Sequence, residues 1–179
     1  MQTSHSEYRN KYAAGELIGF DNIVETYVSE HATDFDVGVV LAKGTADDQV
    51  LLLDSAAEAS DWEDLRGIAI KNQSLEKTIS TGVRMISDED PCSVLIKGRI
   101  AVLITDTVAK GDLVYFTHTT GGSSTVYTYR NDLDTDKAIA IPARFVEAGT
   151  TGQIVPIDVD FTMGAMMHQA FSAAGHTHE

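Results

Sequence analysis

The residues that first suggest chemistry lie near the C-terminus. His176-Thr177-His178 places two imidazoles at positions i and i+2, just before Glu179. In an extended chain such a pair projects to one side and can hold one ion. Around a threefold axis three pairs would supply six imidazoles, a set suited to iron, zinc, nickel or copper. No hydrogen-bonding support for these histidines can be named from the sequence, and the plain alternative is a tail with two solvated rings. Asp132-x-Asp134-x-Asp136 has the alternation with which an EF-hand calcium loop begins. Lys137 then replaces the required glycine, and Ala143 stands where the bidentate glutamate belongs, so a solvated acidic loop is the better reading. The same holds for Asp88-Glu89-Asp90. Cys92 follows Pro91 at the start of a strand-like run. A reactive thiolate needs a neighbouring base or an electropositive setting; none is apparent, and a small buried hydrophobe is expected. Gly121-Gly122-Ser123-Ser124 sits between two strand-like runs, where a phosphate cradle would need a helix N-terminus. It reads as a hairpin loop.

No Gly-x-Ser-x-Gly elbow, P-loop or dinucleotide fingerprint is present in the sequence; the chain is expected not to be an enzyme. A small β-barrel hydrolase or metal enzyme would have to bring the tail histidines and the Asp132–Asp136 loop into one pocket, and nothing in their spacing demands that.

The 179 residues carry thirteen Lys and Arg against twenty-seven Asp and Glu, a net charge of −14. Nucleic-acid backbones require a basic footprint, and anionic membrane surfaces repel an acidic chain. Both are therefore excluded as partners, and no small-molecule substrate is indicated. Composition is that of a globular chain, with 43% hydrophobic and 22% charged residues. One cysteine excludes an internal disulfide. No segment approaches the ~20 apolar residues of a membrane span, and Met1–Gly15 lacks the apolar core of a secretory signal. The acid excess is greatest before residue 60, whereas Phe161–His178 contains no Asp, Glu, Lys or Arg.

These features need a scaffold. Residues 1–14 read as a flexible arm. Residues 15–31 are the best helix candidate: Leu17, Ile18, Ile23, Val24, Tyr27 and Val28 recur at spacings near three and four. Gly19 and the β-branched residues weaken that reading, and an extended apolar arm fits nearly as well. Strand-like runs follow at Val37–Lys43, Val50–Leu53, Leu65–Ile70, Ser93–Lys97, Arg99–Ile104, Leu113–Thr117, Thr125–Tyr129, Ile139–Val146 and Gln153–Val159, with Ala56–Glu63 a short helix or loop. Short β-branched runs separated by turn residues predict an all-β barrel or sandwich. Pro142 and Pro156 mark edge strands or bulges. The uncharged tail carries Phe161, Met163, Met166, Met167 and Phe171, an adaptable apolar surface expected to pack on its own barrel or on a neighbour.

Several blocks, in order, resemble the structural cement proteins of tailed bacteriophages. They are Ala14-Gly15-Glu16-Leu17-Ile18-Gly19-Phe20-Asp21, Asp36–Val40, Leu65–Ile70, Ser93–Val102, Val108–Phe116 and Ile141–Val146, with Gly152–Val159 after them. The resemblance covers about residues 14–160. It departs from the family pattern in the polar arm, the loop Ser123–Lys137 and the tail after Asp160. It implies a small β-barrel or jelly-roll-like domain at 15–160; the arm at 1–14 and the tail at 161–179 are not covered by it, and their roles stay open. It also implies a capsid decoration protein, made in the host cytoplasm and carried on the virion exterior. Such a protein would bind the major capsid protein and itself, as a homotrimer, and stabilise contacts between capsomers. Another virion component, a head-completion or tail-tube β-barrel protein, is the alternative. Leu17, Ile18, Phe20, Ile23, Val24 and Tyr27, with Phe161, Met163, Met166, Met167 and Phe171, are the expected contacts with capsid or neighbouring subunit. No cofactor is expected beyond a metal on His176 and His178 at a threefold axis.

Overall fold

The computed structural model describes residues 11–54, 64–71, 85–119, 126–134 and 137–163. Eleven strands account for most of them: β1 (Leu17–Ser29), β2 (Phe35–Asp36), β3 (Val40–Lys43), β4 (Gln49–Leu52), β5 (Leu65–Ala69), β6 (Met85–Ile86), β7 (Pro91–Leu103), β8 (Leu113–Thr117), β9 (Tyr129–Arg130), β10 (Ala138–Phe145) and β11 (Ile154–Asp160). A single 3-10 turn, Phe161–Met163, follows β11. The fold is all-β, as the short β-branched runs predict.

Nine strands form one sheet in the order β1-β4-β3-β5-β7-β11-β10-β8-β9, and β1 also pairs with β7. That extra pairing closes β1, β4, β3, β5 and β7 into a ring. The remaining four strands continue from β7, and the last of them, β9, returns to the chain just past β7 through a parallel bridge between Tyr129 and Ile104. β7 is shared by both parts. Along one edge it runs antiparallel to β1, from Leu17↔Ile100 to Val28↔Pro91. Its other edge takes β5 at Val94 and Leu95 and β11 from Lys97 to Leu103. β2 and β6 form a separate two-stranded pair.

The core draws on both faces of several strands, since neighbours such as Val40–Ala42 and Val94–Leu95 are buried in succession. Val40, Leu41, Ala42, Val50, Leu52, Ile68, Val94 and Leu95 are buried on the strands of the ring, and Val114, Phe116, Ile141, Phe145 and Ile157 are buried on β8, β10 and β11. One polar contact ties the two parts together. The fully buried Tyr129 hydroxyl of β9 donates to the Gly38 carbonyl at 2.8 Å, and its ring meets Phe116 edge-on at 5.2 Å between centroids. Burial pushes the Tyr129 phenol well above its ordinary pKa, so it stays protonated as a donor.

Three expectations are corrected. The helix candidate at 15–31 is instead the strand β1. Its helix-like spacing arises because four residues, Gly19–Asn22, bulge out between Ile18↔Arg99 and Ile23↔Lys97, which interrupts the two-residue period. The extended reading of the same residues agrees with the structure. Ser93–Lys97 and Arg99–Ile104, the runs that flank Gly98, are not two strands but parts of one. Pro142 does lie at a register shift, between Ile141 and Arg144. Pro156, however, is neither on an edge nor at a bulge: it pairs with Ala101 in a strand flanked on both sides. Its carbonyl accepts from Val146 N–H just past the end of β10. Its nitrogen faces the same way, where the ladder has ended. The short β2 and β6 have no counterpart among the expected runs. Ala56–Glu63, apart from its neighbours, and Gly121–Ser124 lie outside the described residues, as does most of the expected arm at 1–14.

Replacing Tyr129 with Phe keeps the ring and removes the donor, leaving the Gly38 carbonyl buried without it. We expect a loss of about 1–3 kcal/mol, read from the urea midpoint, with an unchanged far-ultraviolet spectrum.

Candidate interaction surface

The most exposed large apolar residue described is Phe20, at the crest of the β1 bulge, with a relative exposure of 104%. The bulge has a defined internal structure. Gly19 turns the chain with φ +85°. Asn22 Nδ2 donates to the Gly19 carbonyl at 3.2 Å, and Asn22 Oδ1 accepts from Arg99 N–H at 3.0 Å. The Asn22 side chain thus takes the place of a ladder acceptor that the bulge removes. This needs a glycine opposite. A Cβ on Gly98, whose φ is +138°, would lie 2.0 Å from Asn22 Oδ1 and 3.0 Å from Asn22 Cα. The signals were present in the sequence: Gly, Asp and Asn inside a β-branched run mark a bulge.

Beneath the bulge is an open groove of about 610 Å³, floored by β7, β11 and β10. Register places Ile18, Arg99, Asp158 and Arg144 in one row across four strands. The Arg99 guanidinium grips Asp158 through Nε–Oδ1 at 2.6 Å and Nη2–Oδ2 at 3.0 Å, which holds its pKa above the ordinary value. Lys97 Nζ meets Asp160 Oδ2 at 2.7 Å. Partial burial pushes the Asp160 carboxyl up, but bonds from Lys97 and Thr162 bring it below its ordinary value. Arg144 Nη1 donates to the Gly111 carbonyl at 2.8 Å. These pairs are substantially exposed, so each contributes at most about 1 kcal/mol. Their role is to fix side chains rather than to hold the fold. The spacing of single residues does not reveal this row, because it is assembled from four distant strands.

The other expected contact residues divide. Ile23 and Val24 are exposed at 47% and 40%, and Val28 joins them at 37%. Leu17 and Tyr27 are half-buried and pack against the core, as does Phe161. Ile18 is half-buried and lines the groove. Met163 ends the 3-10 turn. Met166, Met167, Phe171, His176 and His178 lie outside the described residues. Leu103 and Leu133 are also exposed and were not singled out from sequence.

The remaining chemical candidates resolve differently. Asp132 and Asp134 are turned onto one guanidinium: Arg130 Nε meets Asp132 at 2.6 Å and Arg130 Nη1 meets Asp134 at 2.8 Å. Asp106 completes this cage at 3.3 Å. Asp136 lies outside the described residues. Among the described residues, no group of three His, Cys, Asp or Glu is placed to hold a metal. Cys92 is buried, and burial pushes its thiol up to about 12, which suppresses the thiolate that nucleophilic chemistry needs.

The chain thus displays an apolar bulge over an ion-paired groove. The family comparison gives that surface its setting. Residues 1–160 match the structural cement protein family (E217 gp24/Pam3 gp6). The chain belongs to this family and is a phage structural protein associated with the capsid. Among curated proteins none matches. Of the solved structures it resembles, a chain from the capsid of Myoviridae phage XM1 aligns with a TM-score of 0.64 at 14% identity, covering 89% of this chain and 97% of that one. The head fiber gp8.5 N base of bacteriophage phi29 aligns at a TM-score of 0.39 and 16% identity, covering 78% and 95%. The first shows a shared fold; the second is too distant to carry an argument.

Two outcomes test this local structure. Gly98→Ala should destabilise the protein by about 1–3 kcal/mol, because Asn22 must leave its seat and the backbone is strained; Asn22→Ala should cost less, about 1 kcal/mol. Urea titration of both checks the order. Cys92 should resist a thiol-specific disulfide reagent at pH 8 in the native state and react fully in denaturant.

Proposed function

We propose that this protein decorates the exterior of an icosahedral phage head, binds the major capsid protein and stabilises contacts between capsomers as a homotrimer. The observation that carries the reading is the run of exposed apolar residues on β1, Phe20, Ile23, Val24 and Val28, in a chain of net charge −14. A solvated acidic chain has no need of an exposed phenylalanine. Burying one contributes about 1.5–3 kcal/mol to whatever covers it, and buried aromatic anchors supply much of the affinity at protein interfaces. A ligand that binds the assembled shell and not its separated parts stabilises the shell by mass action. The uncharged tail from Phe161 onward suits contact with a neighbouring copy or with the shell.

The test is addition of the purified protein to shells of the same phage that lack it. Co-sedimentation with the shells and a rise in their disruption temperature are expected. Phe20→Ala should weaken binding at least about tenfold while leaving the urea midpoint unchanged. Removal of residues 164–179 should weaken assembly without unfolding the sheet. Cryo-microscopy density along the tail instead of on the head would replace this reading with that of a tail component.

A further inference from the structure

β1 has an open edge with an address. The Val28 N–H donates outward to the Asp48 carbonyl, and the Ser29 N–H donates inward to the Asp90 carbonyl of the turn before β7. Backbone groups alternate sides along a strand, and the register from Val28↔Pro91 to Val24↔Leu95 is uninterrupted. The N–H and C=O of Val24 and Thr26 therefore point away from β7. The partner strand agrees: Ser93, opposite Thr26, sends its carbonyl to Ile70 N–H on its other side. Among the described residues, no strand pairs with β1 outward of Val24 and Thr26; β4 reaches it only at Val28 and Ser29. The bulge Gly19–Asn22 closes the other end. What remains is a slot from Ile23 to Tyr27, about 17 Å long, rimmed by exposed Ile23 and Val24.

We propose that this slot receives a short extended strand of the capsid protein, which adds to the sheet through the backbone of Val24 and Thr26; the proposal rests on the capsid-binding reading above. Unpaired edges of this kind template strand addition. Charge identifies the occupant. β1 carries Asp21 and Glu25 and no Lys or Arg, and Asp48 stands where β4 meets it. A second copy would set the same carboxylates against each other, and like charges directly opposite are destabilising. The incoming strand therefore alternates apolar residues with lysine or arginine.

The experiment compares the wild type, Thr26→Ala and Thr26→Pro on shells of the same phage that lack this protein. Proline removes the outward N–H and breaks no bond to β7, since Thr26 and Ser93 face each other as a non-hydrogen-bonded pair. Wild type and Thr26→Ala should bind alike, and Thr26→Pro should bind at least about tenfold more weakly with an unchanged urea midpoint. Independently, wild-type hydrogen exchange, quenched and read at residue resolution, should show the Val24 and Thr26 amides fast in the free protein and protected on the shell. Equal binding of Thr26→Pro, or unprotected amides on the shell, overturns the strand addition while the capsid reading stands. Protection of those amides by self-association without shells assigns the slot to a second copy and overturns it too. If the wild type does not bind shells, the capsid reading fails and the proposal falls with it. Should Thr26→Pro fail to fold, the exchange measurement alone decides.

Discussion

The fold depends on how β7 is shared. Its first half belongs to the closed ring and its second half to the strands that continue through β11, and β1 lies along nearly its whole length on one edge. A strand used this way must satisfy its backbone on both sides while its neighbours change. At Gly98 the β1 ladder breaks, and a side chain completes it: Asn22 accepts the Arg99 N–H. Only the absence of a Cβ at Gly98 leaves room for that substitution. The displayed Phe20 and the groove beneath it descend from this local exchange of backbone for side-chain pairing.

The charge distribution then has a physical reading. Acidic side chains keep the surface solvated and discourage non-specific association. On β1 they are interleaved with apolar side chains instead of excluding them. Attachment would draw its energy mainly from burying the latter, while the former select among partners. In the groove the ions are already paired within the chain, Arg99 with Asp158 and Lys97 with Asp160. A partner covering them need not supply the missing charge, although it must replace the water around them.

Much of the architecture was legible in the amino-acid order. Short β-branched runs between turn residues gave the all-β class, and β8 fell on its expected residues, Leu113–Thr117. The failures have one cause: long-range pairing alters what local pattern implies. Gly98 stood between two expected runs and is mid-strand, because the residue that needs it is Asn22. Leu17–Val28 looked helical because a bulge shifted its parity. Pro156 looked like an edge residue, but the ladder it cannot donate to ends beside it. The exposed apolar residues of β1 were named from their pattern along one segment, whereas the Arg99–Asp158–Arg144 row needed three strands brought into register. The acidic triplet at Asp132 suggested a cation; for Asp132 and Asp134, that cation proves to be the chain's own Arg130.

The distance in sequence between β1 and its partner has a consequence for folding. Leu17 meets Ile100 and Val28 meets Pro91, so β1 cannot be seated until β7 has left the ribosome. Contacts of this kind are slow to form because the intervening chain must first be gathered in. Until then the Phe20 crest has no shape, since both groups that define it, the Arg99 amide and the gap at Gly98, belong to β7. An incompletely folded chain therefore lacks the Phe20 crest, and the surface matures only with the finished molecule.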